Sequence, residues 1–539
     1  MSPFVRRAAL TMVVALASGA AWPASGVERT GGTSRSARFR SAEDLVLKEV
    51  SRRGQGPVTM SRTGMPGRSL LAPVEEQEFD AIGSDGKISP SDTVGAAGPA
   101  HVLTAVNISY ALWDKAATGT PIPALSGTLQ SLFPSLPGNT LVFDPKVVYD
   151  RYAGQFVLIF LAGHGPPFSR GKKFSRVMVV TMPATTVADP GTWCARSING
   201  DRVHGDGKQL ADYPGLGYDA ERVYITTNQF EFSVAEEYEY AQILSIGKDR
   251  LYNCSGKLNM DVFGGEDTLD PGGKKATRAF TIMPAVTETE IGIAPPGFML
   301  SFQDRSCGPG CGDRLTLWRV AQRKGRSTLA KRGVKVPRGL FAPLGTQKDG
   351  SPQCIPLDHC WDTGDLRVIW TFYDADRERL YTAHAVRFDV NPGDGYVEAA
   401  IRWYEIDPIP LKRPILVRHG TLAFPGLDSG WPVMTTDAAG NLFITFSRAG
   451  APAGEYLSAV VATIPPGAVV PDSVVVLRAG EALFVQDAGR FQRWGDFNGI
   501  NRDPVDPFTV WTVNQYAKSD GTFPDTPLWQ QVVNKVRYV

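Results

Sequence analysis

The sequence lacks most signatures that would announce a chemistry. It has no Gly-x-Ser-x-Gly nucleophile elbow, no His-Glu-x-x-His, no Walker loop and no dinucleotide fingerprint following a strand. An EF-hand loop and an Asp-Gly nonapeptide array are absent too. Beyond the N-terminus no apolar run approaches the ~18 residues of a membrane helix, so no membrane span is expected in the mature chain. Neither sign of charge dominates. The 56 Lys and Arg balance 55 Asp and Glu at a formal +1, and nothing global marks a nucleic-acid partner. A largely disordered chain is excluded by 43% hydrophobic residues, and long helical periodicity is missing.

What is present is turn chemistry and short strands. The 56 Gly and 40 Pro separate runs of β-branched and aromatic residues, such as Phe156 to Leu161, Arg222 to Thr227 and Thr509 to Val513. The expected class is all-β. A small motif recurs in which a polar or aromatic residue opens an apolar strand. Asp92-Thr-Val-Gly-Ala, Asp144-Pro-Lys-Val-Val-Tyr-Asp and Asp212-Tyr-Pro-Gly-Leu-Gly-Tyr-Asp are its clearest members. Weaker ones start at Phe280, Thr382, Gly430 and Trp494. Several lead through Asp and Gly into a second strand, as a tight turn requires; Tyr149-Asp150-Arg-Tyr-Ala-Gly154 and Thr436-Asp437-Ala-Ala-Gly440 are examples. Seven units predict a seven-bladed β-propeller over residues 79–539. Its ring would close by pairing the C-terminal segment 525–539 with residues near 79–88. The competing architecture is two β-sandwiches in tandem.

The N-terminus predicts export. Arg6 and Arg7 precede an apolar stretch from Ala8 to Ala17, too short for a ~30 Å bilayer core, and small residues follow. Residues 1–24 read as a signal peptide. Residues 25–78 read as a flexible Ser/Gly/Arg-rich leader with one short amphipathic helix from Ser41 to Val50. The expected location is periplasmic or extracellular. Six cysteines then read as disulfides, with Cys194–Cys254, Cys307–Cys311 and Cys354–Cys360 as the expected pairs among 15 connectivities. The metal alternative combines Cys307, Cys311, Cys354 and Cys360 with His359 around zinc. No cofactor is expected; Asp-rich turns supply the oxygen ligands that a structural Ca²⁺ would need.

The ordered motifs Asp92-Thr-Val-Gly-Ala-Ala-Gly-Pro, Phe143-Asp-Pro-Lys-Val-Val-Tyr-Asp and Asp212-Tyr-Pro-Gly-Leu-Gly carry a resemblance. With Tyr381-Thr-Ala-His-Ala-Val and Trp494-Gly-Asp-Phe-Asn-Gly-Ile, the chain resembles a family of exported bacterial sialidase-like β-propeller proteins, mostly uncharacterised. The resemblance implies the fold and leaves activity open. Sialidases themselves share an Arg-Ile-Pro motif, which is absent here. The nearest approximations to their Asp boxes, at Asp437-Ala-Ala-Gly440 and Ser519-Asp-Gly-Thr-Phe, are incomplete.

In a propeller the motif-opening residues converge on the central channel mouth. The expected catalytic candidates are Asp144, Asp212, His384 and Tyr213. The expected ligand-binding candidates are Asp92, Lys146, Trp431, Arg493, Trp494 and Asp496. Carboxylates and cations hydrogen-bond sugar hydroxyls, and aromatic rings stack on apolar sugar faces. The expectation is an exported protein that binds an extracellular polysaccharide or glycan. If it is an enzyme, two carboxylates would serve a glycoside hydrolase, and His384 with Tyr213 a polysaccharide lyase. Each residue also has an architectural reading: Asp caps a turn or ties one blade to the next, Trp packs between blades, and cations pair with acids. The alternative function is a non-enzymatic scaffold for a protein partner.

Overall fold

The structure is a computed structural model that describes residues 73–539, apart from 85, 87, 117–122, 166–171, 206, 233–236, 272–277, 290–296, 304–310, 324–325, 487–488 and 522–527. The signal segment, nearly all of the leader and the helix expected at 41–50 lie outside the described residues. Within them the chain runs through 28 strands and one α-helix, Lys248–Tyr252.

After β1 (Pro73–Gly83) the strands come in antiparallel groups of four. The first holds β2 (Val94–Ala97), β3 (His101–Val106), β4 (Ser109–Asp114) and β5 (Leu125–Thr128). Next come β6 (Leu141–Asp150), β7 (Gln155–His164), β8 (Phe174–Pro183) and β9 (Cys194–Asn199). The third has β10 (Gln209–Tyr218), β11 (Arg222–Glu231), β12 (Tyr238–Gly247) and β13 (Met260–Phe263). The fourth has β14 (Met283–Glu288), β15 (Gly297–Gln303), β16 (Cys311–Arg323) and β17 (Arg326–Leu340). The fifth has β18 (Thr371–Asp374), β19 (Arg379–Phe388), β20 (Glu398–Asp407) and β21 (Ile415–Leu422). The sixth has β22 (Asp428–Thr436), β23 (Leu442–Gly450), β24 (Glu455–Ile464) and β25 (Ser473–Arg478). The last joins β26 (Gly499–Arg502), β27 (Thr509–Lys518) and β28 (Leu528–Tyr538) to β1, with Phe79 opposite Val533. The C-terminal strand thus pairs with the N-terminal one, and β1 starts at Pro73, inside the stretch read as leader.

The first strands of consecutive groups contact one another, and β26 returns to β2, so they close a ring that tandem sandwiches would not make. Short parallel pairings reinforce two of these contacts, Tyr218 to Val286 and Ala285 to Thr371. The ring explains the composition of the strands. An inner strand has a neighbouring sheet against each face, so both faces must be apolar or paired. β22 and β23 are buried along their whole lengths, and the middle of β7, Phe156-Val-Leu-Ile-Phe-Leu, has no polar residue. Outer strands lose that cover: β5 and β25 are mostly half-buried or exposed. The turns after inner strands use Asp as read from sequence. Asp219 Oδ1 accepts from the amides of Glu221 and Arg222, and Asp437 Oδ1 from that of Asn441, with Gly440 at φ 87° between them.

β28 sits between β1 and β27 and buries Trp529, Val532, Val533 and Val536. Each such side chain is worth about 1.5–3 kcal/mol, so the strand supplies a large share of a typical margin of stability. Deleting residues 525–539 should abolish soluble expression or lower Tm by more than about 10 °C. A truncated protein that melts with the full chain would show that the ring does not depend on this closure.

Candidate functional site

The inner strands enter the ring through an unusual backbone. Asp92 and Thr281, just before β2 and β14, and Asp144, Tyr213 and Trp431, inside β6, β10 and β22 after the first paired residues, have φ between 50° and 56°. In β6, β10 and β22 a bulge follows at that point. Side chains of this size are rarely left-handed, and such residues cluster where the surroundings over-determine them. Here the cause is visible in the hydrogen bonds. The amide of Asp496 donates to Asp92 Oδ1 at 2.8 Å, and Asn107 Nδ2 donates to Asp92 Oδ2 at 2.7 Å. Asn107 Oδ1 accepts the amide of Asp144 at 2.8 Å, and Asp144 Oδ2 accepts that of Tyr213 at 3.2 Å. Asn228 Oδ1 accepts the amide of Thr281 at 2.9 Å. On the far side, Asn498 Nδ2 donates to the Trp431 carbonyl at 2.7 Å, and Trp431 Nε1 to the Asp362 carbonyl at 2.7 Å. Each bond crosses from one group of strands to the next or fastens the residue that does.

Five of the candidate residues line one pocket inside this clasp: Asp144, Asp212, Tyr213, Arg493 and Asp496. Asn228, Phe230, Phe280 and Arg367 complete it. It offers about 10 Å³ to the centres of water-sized groups, roughly one water's worth. Arg493 donates to Asp496 Oδ1 at 2.8 Å. Arg367 grips Asp365 with its Nε and Nη2, at 2.7–3.0 Å, and lies 4.5 Å from the centre of the Tyr213 ring. Three lining side chains, all at least nine-tenths buried, have a polar atom without a hydrogen-bond partner among the described residues: Asp144 Oδ1, Tyr213 Oη and Arg493 Nε. Buried polar atoms without partners cost about 1–3 kcal/mol each, so three around one small pocket mark a place built for a polar group.

The opposite ends of the inner strands are filled by the protein. Arg502, fully buried, donates to the Thr436 carbonyl at 2.9 Å and lies within 3.9 Å of Glu288, Asp374 and Asp376.

Charge is crowded at the clasp. Burial, then the neighbouring Asp496, pushes the Asp92 carboxyl up to about 6. Burial raises Asp212 to about 6 as well, against the opposing hydrogen bond from the Tyr213 amide. Burial and the charge of Asp212 hold Asp144 well above the usual carboxylate range. Asp365 goes the other way, because Arg367 outweighs the effect of its burial. The Lys146 ammonium sits 3.1 Å from the centre of the Phe497 ring with no carboxylate in ion-pair range among the described residues, and burial brings it down to about 7.

The other candidates lie elsewhere. His384 is on the second strand of its group, does not line the pocket, and hydrogen-bonds Tyr404 at 2.9 Å while packing on Phe302. Burial lowers it to about 4, so it is a neutral core histidine rather than a partner of Tyr213. Trp494 is buried, donates to Ser447 Oγ at 3.0 Å and packs edge-on against Phe484. Trp431 is likewise buried in the joint between sheets. Asp92 is spent on the clasp. Sequence reasoning missed Arg367, Asp365 and Phe230, which lie outside the quoted motifs, and did not count Phe280 as a candidate although it opens one of the weaker motifs. It also missed Asn107 and Asn228, although Val106-Asn107, Thr227-Asn228-Gln and Val513-Asn514-Gln form a recurring signal on second strands.

Cys194–Cys254 and Cys354–Cys360 are disulfides, which removes the thiolates that the zinc reading needed; Cys307 lies outside the described residues. Among the described residues no cluster of His, Cys, Asp and Glu is arranged to hold a metal ion, and no helix is long and apolar enough to cross a membrane. Disulfides suit an oxidising, exported setting.

No family model and no curated protein matches the chain. Among solved structures it is similar to a protein of unknown function from Dyadobacter fermentans, at 10% identity and a TM-score of 0.35, over 75% of this chain and 96% of that one. A Trypanosoma rangeli sialidase in complex with 2,3-difluorosialic acid matches at 11% and 0.33, over 73% of this chain and 53% of that one. The endo-arabinase from Bacteroides thetaiotaomicron matches at 15% and 0.28, over 60% and 93%. At these values none of them bears on activity.

The shifted carboxyls set a pH dependence. An unfolded aspartate titrates near 3.8 and folded Asp92 and Asp212 near 6, so the folded protein binds more protons between those values. Their contribution to stability is therefore greatest below about pH 4 and is lost as pH rises through about 6. Unfolding free energy measured by denaturant should fall across this window, and the fall should be shallower in Asp212→Asn. An equal slope in that variant would contradict the assignment.

Proposed function

We propose that the protein is an exported seven-bladed β-propeller whose clasped channel mouth binds a carbohydrate by one hydroxyl or hydroxymethyl group. The observation that carries this reading is the set of three unpartnered polar atoms, Asp144 Oδ1, Tyr213 Oη and Arg493 Nε, around a pocket of about one water's volume. A hydroxyl both donates and accepts, and so complements a carboxyl, a phenol and a guanidinium together. The pocket is too small for a sugar ring, so the ring would rest outside it, and Phe280 and the Asp212 carboxyl, both half-buried, are the groups placed to meet it. The closed ring of first strands, with four strands to a group, supports the seven-bladed reading.

Binding without cleavage is the better-supported form. Both Asp92 oxygens and Asp144 Oδ2 accept hydrogen bonds within the clasp, and Asp496 Oδ1 is held by Arg493. Asp144 Oδ1 is left free beside Asp212, and a pocket of about one water's volume has no room for a glycosidic bond between the two carboxyls.

Calorimetric titration against a panel of neutral oligosaccharides tests this. At least one should bind, and Tyr213→Phe, which removes only the hydroxyl, should weaken it about tenfold while Tm is kept. No binding by any glycan, or equal binding by Tyr213→Phe, would overturn the reading. New reducing ends or unsaturated products would replace binding with catalysis.

A further inference from the structure

We infer that the β16–β17 hairpin is a second binding surface, for an acidic polysaccharide. Between Cys311 and Leu340 the sequence carries nine Lys or Arg against one acid, Asp313, a net of +8 in a chain whose formal charge is +1. Composition hides this, because the rest of the chain balances it. The topology then puts the charge where a partner reaches it. β17 pairs only with β16, so it is the outermost strand of its group. At 15 residues it spans about 50 Å.

Charged side chains on an outer strand commonly serve to block pairing with another molecule's edge. That explanation fits one or two residues. β5 and β13 carry no Lys or Arg, and β9, β21 and β25 one each. β17 carries five. β1 protects its edge differently, with acids paired to Lys518, Lys535 and Arg537.

The charges are available. Arg323, Arg326, Arg332 and Lys335 are exposed, and none has a carboxylate within ion-pair range among the described residues. Arg323 and Arg326 face each other across the hairpin end, and Arg314 faces Lys335. Like charges directly opposite destabilise a sheet, so sequence and fold tolerate a cost that an anionic partner would relieve. Lys331 is the exception, lying near Asp267 and Asp270 and packing on Trp318. Successive strand residues alternate faces, so Arg332 and Lys335, three residues apart, point to opposite sides, and the outer strand carries exposed cations on both. A flexible polymer bearing many carboxylate or sulfate groups can meet the cations on both faces of such an edge.

Chemistry decides among polyanions. Single-stranded nucleic acid wants exposed aromatic rings for its bases, and the hairpin's one aromatic, Trp318, is fully buried. Anionic membranes are held best when apolar side chains insert beside the basic ones, and the described residues at the hairpin end are Gln322, Arg323, Arg326 and Ser327.

The test is binding of the full-length protein to polygalacturonate, with neutral dextran, duplex DNA and phosphatidylglycerol–phosphatidylcholine vesicles beside it. The wild type should bind polygalacturonate in a salt-sensitive way, whereas any binding of dextran should be insensitive to salt. The quadruple variant Arg323→Gln, Arg326→Gln, Arg332→Gln, Lys335→Gln should keep its Tm and lose about tenfold or more in affinity. The quadruple variant should keep whatever affinity the wild type shows for neutral oligosaccharides, which separates this surface from the channel mouth. Failure of the wild type to bind polygalacturonate at low salt would overturn the inference, as would an unchanged affinity in the folded quadruple variant. Binding to DNA or vesicles as tight as to polygalacturonate would overturn the polysaccharide assignment.

Discussion

Everything in this molecule depends on backbone amides just before the inner strands or at the bulges within them finding partners where water does not reach. Five inner strands carry a left-handed residue, just before the strand at Asp92 and Thr281 and at a bulge within it at Asp144, Tyr213 and Trp431, and these residues drop out of the ladder register that satisfies the rest of the sheet. Aspartate and asparagine side chains take their place. Asp92, Asn107, Asp144 and Asn228 accept the amides of Asp496, Asp144, Tyr213 and Thr281 in turn. Because each bond joins one group of strands to its neighbour, the clasp orients the sheets as well as paying the desolvation cost of the amides.

The chemistry at the mouth follows from this use of carboxylates. Acids brought together to hold backbone crowd one another, and burial raises Asp92, Asp144 and Asp212 further. Arg493 and Arg367 answer part of that charge through Asp496 and Asp365. The polar atoms left over, on Asp144, Tyr213 and Arg493, surround a pocket of about one hydroxyl's size. Perturbed carboxyls often signal catalysis, but the same perturbation arises in a structural network. Here the hydrogen-bond partners assign Asp92 and most of Asp144 to architecture.

The fold was legible because it repeats. Apolar strands without alternation told of sheets covered on both faces, and Asp followed by Gly marked the turns after Asp150 and Asp437. The register of the motif was harder to see. Sequence aligns Asp212 with Asp92 and Asp144, whereas the left-handed backbone falls on Tyr213, one residue later. Identity misled where backbone position was the repeated feature. His384 failed for a related reason: it opens no inner strand, and its place on β19 puts it in the core beside Phe302 and Tyr404. Arg367 could not be found at all, because the segment before β18 has no left-handed head and shares no pattern with the others. The basic hairpin was hidden by a balanced total charge.

The most direct test of the clasp is native-state hydrogen exchange at the amides of Asp144, Tyr213, Thr281 and Asp496. If buried side chains hold them between sheets, they should exchange only with global unfolding, as slowly as amides in the middle of β7 and β23. Exchange through local fluctuations, well ahead of those strands, would contradict the account, since it would mean that the sheets are held by packing alone.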